Sequence, residues 1–329
     1  MNKNNSSNMP QEQQNENTAS ATALVADAPK SRGKAGRFFR SLRRDVGSWL
    51  LILPFLFFLV VIVLVPTVRG LTWSFYKMQG YNVGEYIGLA NYRVVLSNTE
   101  FLKTLGNTIE YVLWSLLIGF WPPILVAILL NEMRGGRSFF RISVYFPCMV
   151  PAIAVSMLWY YLMFPNETGL FNMLLSWMGF ESFEWLQNSK FTIPLIVLSC
   201  SWRSMGSSML VYLACLQSVN TDLYEAATID KAGLWARTWH ITLPHLSGII
   251  LLNFVRHIIG IFQIMEQPLS MTGGGPNGAS MSLGLLGYKY AFQTYKVGNS
   301  LALNVIMFLM LITLSIFYFL MKNKVEQDA

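Results

Sequence analysis

Apolar residues in this chain form long continuous runs that short polar segments separate. Six runs are long enough to cross a hydrocarbon core of roughly 30 Å: 49–68, 108–130, 139–163, 191–216, 246–265 and 299–321. Within each run the apolar residues are contiguous rather than alternating, and backbone polar groups cannot stay unpaired in lipid, so helices are favoured over a β-barrel. We therefore expect an all-α, polytopic membrane protein with six transmembrane helices.

The composition agrees with a membrane protein. Hydrophobic residues make up 53% of the sequence and charged residues only 12%, whereas ordinary soluble domains are about 25% charged. The lipid bilayer of the plasma (inner) membrane is therefore the first expected partner, and nucleic acid is not expected to be one.

The polar segments predict the orientation of the spans. Residues 1–45 begin with an Asn-, Gln- and Ser-rich stretch that we expect to be disordered, and they end in a basic cluster directly before the first span. Basic residues that flank a span favour the cytoplasmic side, and six crossings return Lys322 and Lys324 to that same side. Both termini are therefore predicted to be cytoplasmic. A cleaved signal peptide is disfavoured because the run 49–68 is longer than the apolar region of a signal.

This topology divides the chain into consecutive parts. After the tail 1–45, residues 46–103 are predicted to hold the first transmembrane helix and an external segment. Residues 104–321 would form a core of five helices with a cytoplasmic loop at 218–244, and residues 322–329 would form a second cytoplasmic tail.

The chain lacks the motifs that would let it bind nucleotide or make bonds. Its glycine clusters, RGGRS and TGGGPNG, do not carry the lysine–hydroxyl pair of a G-x-x-x-x-G-K-[ST] loop, so ATP is not expected to bind here. Neither HExxH nor G-x-S-x-G occurs, which disfavours a zinc protease or a serine hydrolase. Cys148, Cys200 and Cys215 show no ligand spacing. We expect no enzyme activity, metal or cofactor in this chain.

The predicted loop at 218–244 differs in composition from the runs on either side. It contains YEAATIDKAGLWARTWHITLP, which is small, charged and alanine-rich. Asp222 and Glu225 form the acidic version of a capping box and predict a helix start, and Gly233 would end that helical turn. A second helical piece through LWARTWHI would lead to Pro244 in the first turn of the fifth span. On these residues alone, the loop is either a docking surface or an amphipathic linker that its tryptophans anchor at the membrane interface.

This loop resembles the EAA loop of permease subunits of binding-protein-dependent ABC importers, whose pattern is roughly EAAxxDGAxxxxxxxxIxLP. The matching residues are Glu225, Ala226, Ala227, Asp230, Ala232, Ile241, Leu243 and Pro244. Lys231 stands where the pattern usually has glycine, and Gly233 is the nearby residue that would supply the bend instead. Other segments are similar to the carbohydrate (maltose-type) branch: GLANYRVVLSN, LGNTIEYVL, FFRISVYFPCMVP, SWRSMGSSMLVYLACLQSV and MTGGGP.

The resemblance implies an ATP-driven importer of a sugar or oligosaccharide that works by alternating access. In that family the EAA loop forms a coupling helix seated in a groove of a separate ATPase subunit, which would hold ATP and Mg²⁺. A second permease subunit, identical or related, would complete the path, and an extracytoplasmic solute-binding protein would dock outside. The segment TGGGPNG is a candidate contact for that protein, or else a simple solvated turn.

Polar and charged residues within the spans are candidates for a cargo path, because charges at bilayer depth are costly and usually face protein or water. The candidates are Trp202, Arg203, Arg256, His257, Gln263 and Asn304. Both arginines fall near the midplane at about 1.5 Å of rise per residue. They suggest an acidic saccharide, such as a uronate-bearing oligomer; alternatively they pair with backbone carbonyls or with carboxylates of a partner permease. Alternative functions are a self-sufficient secondary transporter or channel, with His257 as the evident relay residue, and a membrane scaffold.

Overall fold

A computed structural model describes residues 46–133 and 135–328, and the predicted tail at 1–45 lies outside them. The chain divides into two units, residues 1–67 and 68–329. In the first unit the described residues are helical: α1 at Val46–Phe58, a π-helical segment at Leu59–Leu64, and the start of α2 at Val65–Trp73. Most apolar side chains of this helix are exposed, as expected of a membrane span.

The second unit contains a β-hairpin that the sequence did not predict. Strands β1 (Tyr76–Gln79) and β2 (Asn82–Tyr86) pair antiparallel, and Gly80, at φ 58°, lies in the turn between them. The side chain of Asn91 donates to the carbonyls of Ser74 and Tyr76, at 2.8 and 2.9 Å. The chain is mostly helical, but the all-α expectation is wrong for this segment, because a tertiary amide contact rather than an apolar pattern supports the hairpin.

The other elements are helical. The first are α3 (Ala90–Leu96) and a continuous helix made of α4 (Thr99–Ser115), a π-helical segment (Leu116–Phe120) and α5 (Trp121–Glu132). Next come α6 (Arg137–Met149), α7 (Ala152–Leu162), α8 (Leu170–Trp177) and α9 (Ser189–Leu216). Helix α10 (Thr221–Ile229) stands alone. It is followed by a second continuous helical stretch, which consists of α11 (Leu234–Arg237), a π-helical segment (Thr238–Thr242) and α12 (Leu243–Phe262). The last are α13 (Glu266–Thr272), α14 (Leu283–Tyr288), a π-helical segment (Lys289–Gln293) and α15 (Val297–Asp328), which extends into the predicted tail.

Among the described residues, four helices are long and apolar enough to cross a membrane: Leu50–Trp73, Thr99–Glu132, Leu234–Phe262 and Val297–Leu320. A fifth span results if α6 and α7 are counted together, although they are bent by 98°. Val150, which precedes Pro151, is extended, since a residue before proline avoids the helical region. The prediction of one regular span at 139–163 is therefore wrong, and the count of six and the terminal orientation stay predictions.

Helix α9 corresponds to the fourth predicted span, but it is not among the apolar span candidates. It contains Arg203 and a run of serines, and it packs against α4, α5, α6 and α12. A core cluster that includes Phe120, Ile124, Tyr212 and Leu246 joins α9 to α5 and α12. Protein rather than lipid covers much of α9, and so α9 tolerates the polar residues that line the site described next.

Candidate functional site

The segment 218–244, called the elbow below, begins with a capped helix. The side-chain oxygen of Asn220 accepts a hydrogen bond from the backbone N–H of Asp222 at 3.0 Å, which makes Asn220 the N-cap of α10. The capping box predicted at Asp222 and Glu225 is therefore wrong, because Asn220, whose side chain caps a helix as well as aspartate does, lies just upstream and supplies the cap. Asp222 lies in the first helical turn instead, where its charge is favourable to the helix dipole.

Helix α10 ends at Ile229, and Lys231 rather than Gly233 makes the turn that follows it. Lys231 has a φ of 55°, in the left-handed region. Its N–H donates to the carbonyl of Thr228 at 3.1 Å, and the N–H of Ala232 donates to that of Ala227 at 2.9 Å, which is the Schellman pattern. Gly233 is extended and precedes α11. The position at which the EAA pattern has glycine is thus the one that adopts the left-handed conformation, and Lys231 adopts it at a cost of about 1 kcal/mol.

The elbow has one face fixed to the protein and one face exposed. Tyr224 is half-buried and packs, as do Ile241 and Leu243, against the core cluster that contains Tyr212 and Leu246. Its hydroxyl is 3.0 Å from the Thr242 hydroxyl. On the exposed face lie Glu225, Ala226, Asp230 and Pro244, together with the apolar residues Leu223, Ile229, Leu234, Trp235 and Trp239. Ile229 is 81% exposed and Trp235 is 72% exposed. The exposed side of the elbow therefore presents large apolar side chains together with the carboxylates of Glu225 and Asp230.

The second half of the elbow runs into a membrane helix without a break. The stretch from Leu234 to Phe262 is helical throughout, so the fifth span begins earlier than the predicted residue 246. Pro244 is the second residue of α12 and lies in its first turn, as predicted, although the π-helical segment Thr238–Thr242 joins α12 to the helix before it. Arg237, in α11, pairs with Glu132 at the end of α5, with Nη2 and Oε2 3.0 Å apart.

A cavity of about 220 Å³ lies between the π-helical segment Leu116–Phe120, α9 and α12. Its lining residues are Gly119, Phe120, Pro123, Ser207, Ser208, Val211, Tyr212, Asn253, Arg256 and His257. Arg256 is exposed, and the side-chain nitrogen of Asn253 is buried with no hydrogen-bond partner among the described residues. The cavity is therefore lined by a guanidinium, a side-chain amide and hydroxyls, which are groups that can bind a polar ligand.

Of the predicted path residues, only Arg256 and His257 line this cavity. The Nε–H of Arg203 donates to the carbonyl of Val150 at 3.3 Å, at the bend between α6 and α7, so Arg203 has the backbone-carbonyl partner that was the alternative to cargo. The Trp202 ring packs at 5.9 Å from that of Trp159. Gln263, which directly follows α12, and Asn304, which lies on α15, are both exposed.

Sequence reasoning missed Tyr212, Asn253 and the two serines of the cavity. Asn253 lies three and four residues before Arg256 and His257, and that spacing places all of them on neighbouring positions of one helix face. A search for polar residues at helical spacing within the fifth span would have found it. Tyr212 and the serines carry no such pattern, because hydroxyl residues are common in membrane helices.

His257 holds two helices together beside the cavity. Its Nε2 lies 3.2 Å from the carbonyl oxygen of Ser115, and since a carbonyl only accepts, this nitrogen carries the proton. Ser115 directly precedes the π-helical segment, where the regular helical ladder is interrupted. Gly119, within that segment, allows the close approach of α9, because a Cβ there would lie 2.5 Å from the Ser201 hydroxyl.

The segment TGGGPNG, called the glycine turn below (residues 272–278), is bound on several sides by side chains of the same chain. Asn107 donates to the carbonyls of Gly278 and Met281 at 2.8 and 3.0 Å. Lys103 donates to the Asn277 carbonyl, and Lys289 donates to that of Gly273 at 2.8 Å. It is therefore a fixed turn rather than a freely solvated one.

Comparison with known proteins finds one family whose sequence model matches more than half of the chain. The sequence model of the family described as "Binding-protein-dependent transport system inner membrane component" matches residues 123–328. The arabinooligosaccharides transport system permease protein AraP of Halalkalibacterium halodurans is 32% identical over 282 residues, which cover 85% of this chain and 88% of that protein. The trehalose/maltose transport system permease protein MalF of Thermococcus litoralis is 32% identical over 274 residues, which cover 82% of this chain and 92% of that protein.

Among solved structures, a similar chain belongs to a bacterial ABC transporter involved in the import of the acidic polysaccharide alginate. Its TM-score is 0.78 at 24% identity, and the match covers 88% of this chain and 99% of that one. At this identity the likeness concerns the fold.

Proposed function

Because this chain belongs to the inner-membrane components of binding-protein-dependent transport systems, we propose that it is the permease subunit of an ATP-driven importer for a sugar or oligosaccharide. It is a multi-pass membrane protein with several membrane-span candidates. The proteins it is similar to are named as permeases for arabinooligosaccharides and for trehalose and maltose, which supports a carbohydrate as the cargo class.

The elbow would couple this permease to a separate ATPase subunit. This proposal rests on the exposed face of α10 and α11, where Ile229 and Trp235 are 81% and 72% exposed. Tyr224 fixes the opposite face of the elbow to the rest of the protein. Apolar anchors ringed by polar groups are typical of protein interfaces, and Ala226 leaves room for the wall of a groove. ATP and Mg²⁺ would bind to the ATPase, since this chain has no phosphate-binding loop.

The opposite end of the path would receive the solute-binding protein. The glycine turn is a fixed surface, and fixed surfaces lose little conformational entropy on docking. A second, related permease chain would face this one and complete the central path. ATP-driven movement of the elbows would then expose that path to one side or the other, as in other rocking transitions.

The cavity around Arg256 would bind the cargo. Asn253, Tyr212 and the serines supply hydrogen-bonding groups for sugar hydroxyls, and the guanidinium can bind a carboxylate through two parallel hydrogen bonds. We therefore propose that the cargo carries an acidic group and that Arg256, rather than the carbonyl-bound Arg203, recognises it. Trp202, Gln263 and Asn304 lie outside the cavity and would contact cargo only from another part of the path.

Co-purification tests the coupling proposal. In mild detergent, an ATPase subunit should accompany the wild type and be depleted from Glu225→Lys, because the reversed charge lies on the exposed face of α10. Glu181→Lys, an exposed charge reversal far along the chain from the elbow, is the matched control and should retain the ATPase. The absence of an ATPase from every preparation would favour a self-sufficient transporter.

Uptake of matched sugars tests the cargo proposal. Arg256→Gln should lower uptake of a uronate-bearing oligosaccharide relative to its neutral analogue by roughly tenfold, the value of one charge-assisted contact. Arg203→Gln is the control and should leave that ratio unchanged. Equal losses for both sugars would rule out recognition of the acidic group by Arg256.

A further inference from the structure

The ion pair between Glu132 and Arg237 joins the elbow to a second membrane helix. Glu132 is the last residue of α5, and Arg237 is the last residue of α11, within the elbow. Their charged atoms are 3.0 Å apart, and the side chains are only 21% and 23% exposed. Water therefore screens this pair less than it screens a surface pair.

Stability alone is a poor explanation for the pair. Glu132 is at the C-terminal end of a helix, where a negative charge is unfavourable to the dipole. The Nε of Arg237 is buried and has no partner among the described residues. Replacing a largely buried ion pair with well-packed hydrophobic residues of similar volume is often neutral or stabilising, so we look for the value of this pair in the position that it fixes.

Both helices that the pair joins are walls of the cavity. The helix Thr99–Glu132 carries Gly119, Phe120 and Pro123, and the helix Leu234–Phe262 carries Asn253, Arg256 and His257. The elbow is covalently continuous with the second of these helices. The Glu132–Arg237 pair connects it to the first.

We infer that Glu132 and Arg237 are positioning residues that transmit movement of the elbow to both cavity walls together. A displacement of α10 moves α12 through the chain itself, and the pair moves α5 by the same amount. Without the pair, the elbow still docks but moves one wall only, so ATP is hydrolysed with less cargo moved. This inference rests on the proposed importer function.

The test compares transport with ATP hydrolysis in proteoliposomes that hold the complete importer and receive cargo-loaded solute-binding protein. The variants are Glu132→Gln, Arg237→Gln, the neutral double variant with both changes, and the charge-swapped double variant Glu132→Arg/Arg237→Glu. Arg141→Gln, which removes an exposed arginine from α6, is the control. The quantity measured is the amount of cargo taken up per ATP hydrolysed.

Both single variants and the neutral double variant should lower cargo per ATP by roughly fivefold or more, the usual lower range for coupling between sites. The charge-swapped variant should recover most of the loss, and Arg141→Gln should match the wild type. The neutral double variant leaves no unpaired charge, so it keeps the test informative if a single variant fails to fold.

Wild-type coupling in the neutral double variant would overturn the inference and leave the importer proposal intact. Failure of the charge-swapped variant to recover any coupling would also contradict it. Loss of ATP-dependent uptake by the wild type itself would instead contradict the proposed function.

Discussion

The glycine turn and the elbow both contain residues in left-handed conformations, yet they differ in how far contacts within this chain cover their surfaces. In the glycine turn, the carbonyls of Gly273, Asn277 and Gly278 accept hydrogen bonds from side chains of the same chain. In the elbow, Ile229 and Trp235 remain exposed. The difference indicates that contacts within this chain fix the turn before any partner docks on it, whereas the exposed apolar residues of the elbow would be covered only by a partner.

The largest effect on stability is expected in the glycine turn. Asn107→Ala removes the donor for the carbonyls of Gly278 and Met281, and we expect it to lower the free energy of unfolding by about 2 kcal/mol. Thermal unfolding in detergent measures the change, and Gln293→Ala, at an exposed amide, is the control. An unchanged melting temperature in Asn107→Ala would show that its hydrogen bonds do not hold the turn.

On the exposed face of the elbow, the expected effect is on binding rather than on folding. Ile229→Asn should change the free energy of unfolding by less than about 0.5 kcal/mol. It should weaken ATPase binding by roughly tenfold, because it replaces an apolar side chain that is 81% exposed on the proposed docking face with a polar one. Leu89→Asn, at a residue that is 65% exposed outside the elbow, should leave ATPase binding unchanged. If Ile229→Asn lost stability but kept its ATPase binding, Ile229 would support the fold, as Asn107 does in the glycine turn, and would not be part of a docking surface.

The smallest effect is expected at the left-handed residue of the elbow. Lys231→Gly should raise the free energy of unfolding by about 1 kcal/mol, because glycine adopts a φ of 55° without the clash of a Cβ atom. The neighbouring Asp230 has a φ of −73°, so Asp230→Gly should bring no gain. Differential scanning calorimetry distinguishes the two. A lower melting temperature in Lys231→Gly would mean that the lysine side chain contributes more than its backbone costs.

Local sequence was a good guide to where helices occur and a poor guide to how they end. The two helical pieces of the elbow follow from its composition, and both are present. The cap at Asn220 and the turn at Lys231 were missed, because neighbouring residues offered equally good local chemistry. Glycine is favoured in a left-handed turn, but the Schellman hydrogen bonds are strong enough to impose it on lysine.

Contacts between distant parts of the chain could not be read from the sequence. Arg203 and Arg256 have similar predicted depths, yet one binds the carbonyl of Val150 and the other faces the cavity. The distinction depends on the bend at Pro151, more than 50 residues before Arg203 in sequence. Likewise, the pairing of Glu132 with Arg237 depends on how two helices pack, which local patterns do not determine.

The most direct test of the account is uptake of a labelled oligosaccharide by proteoliposomes that contain this permease, its co-purifying subunits and the solute-binding protein. We expect uptake that requires ATP on the side of the elbow, that is lost in Glu225→Lys and that is kept in Glu181→Lys. Uptake that needs no ATP, follows an ion gradient and is equal in wild type and Glu225→Lys would contradict it.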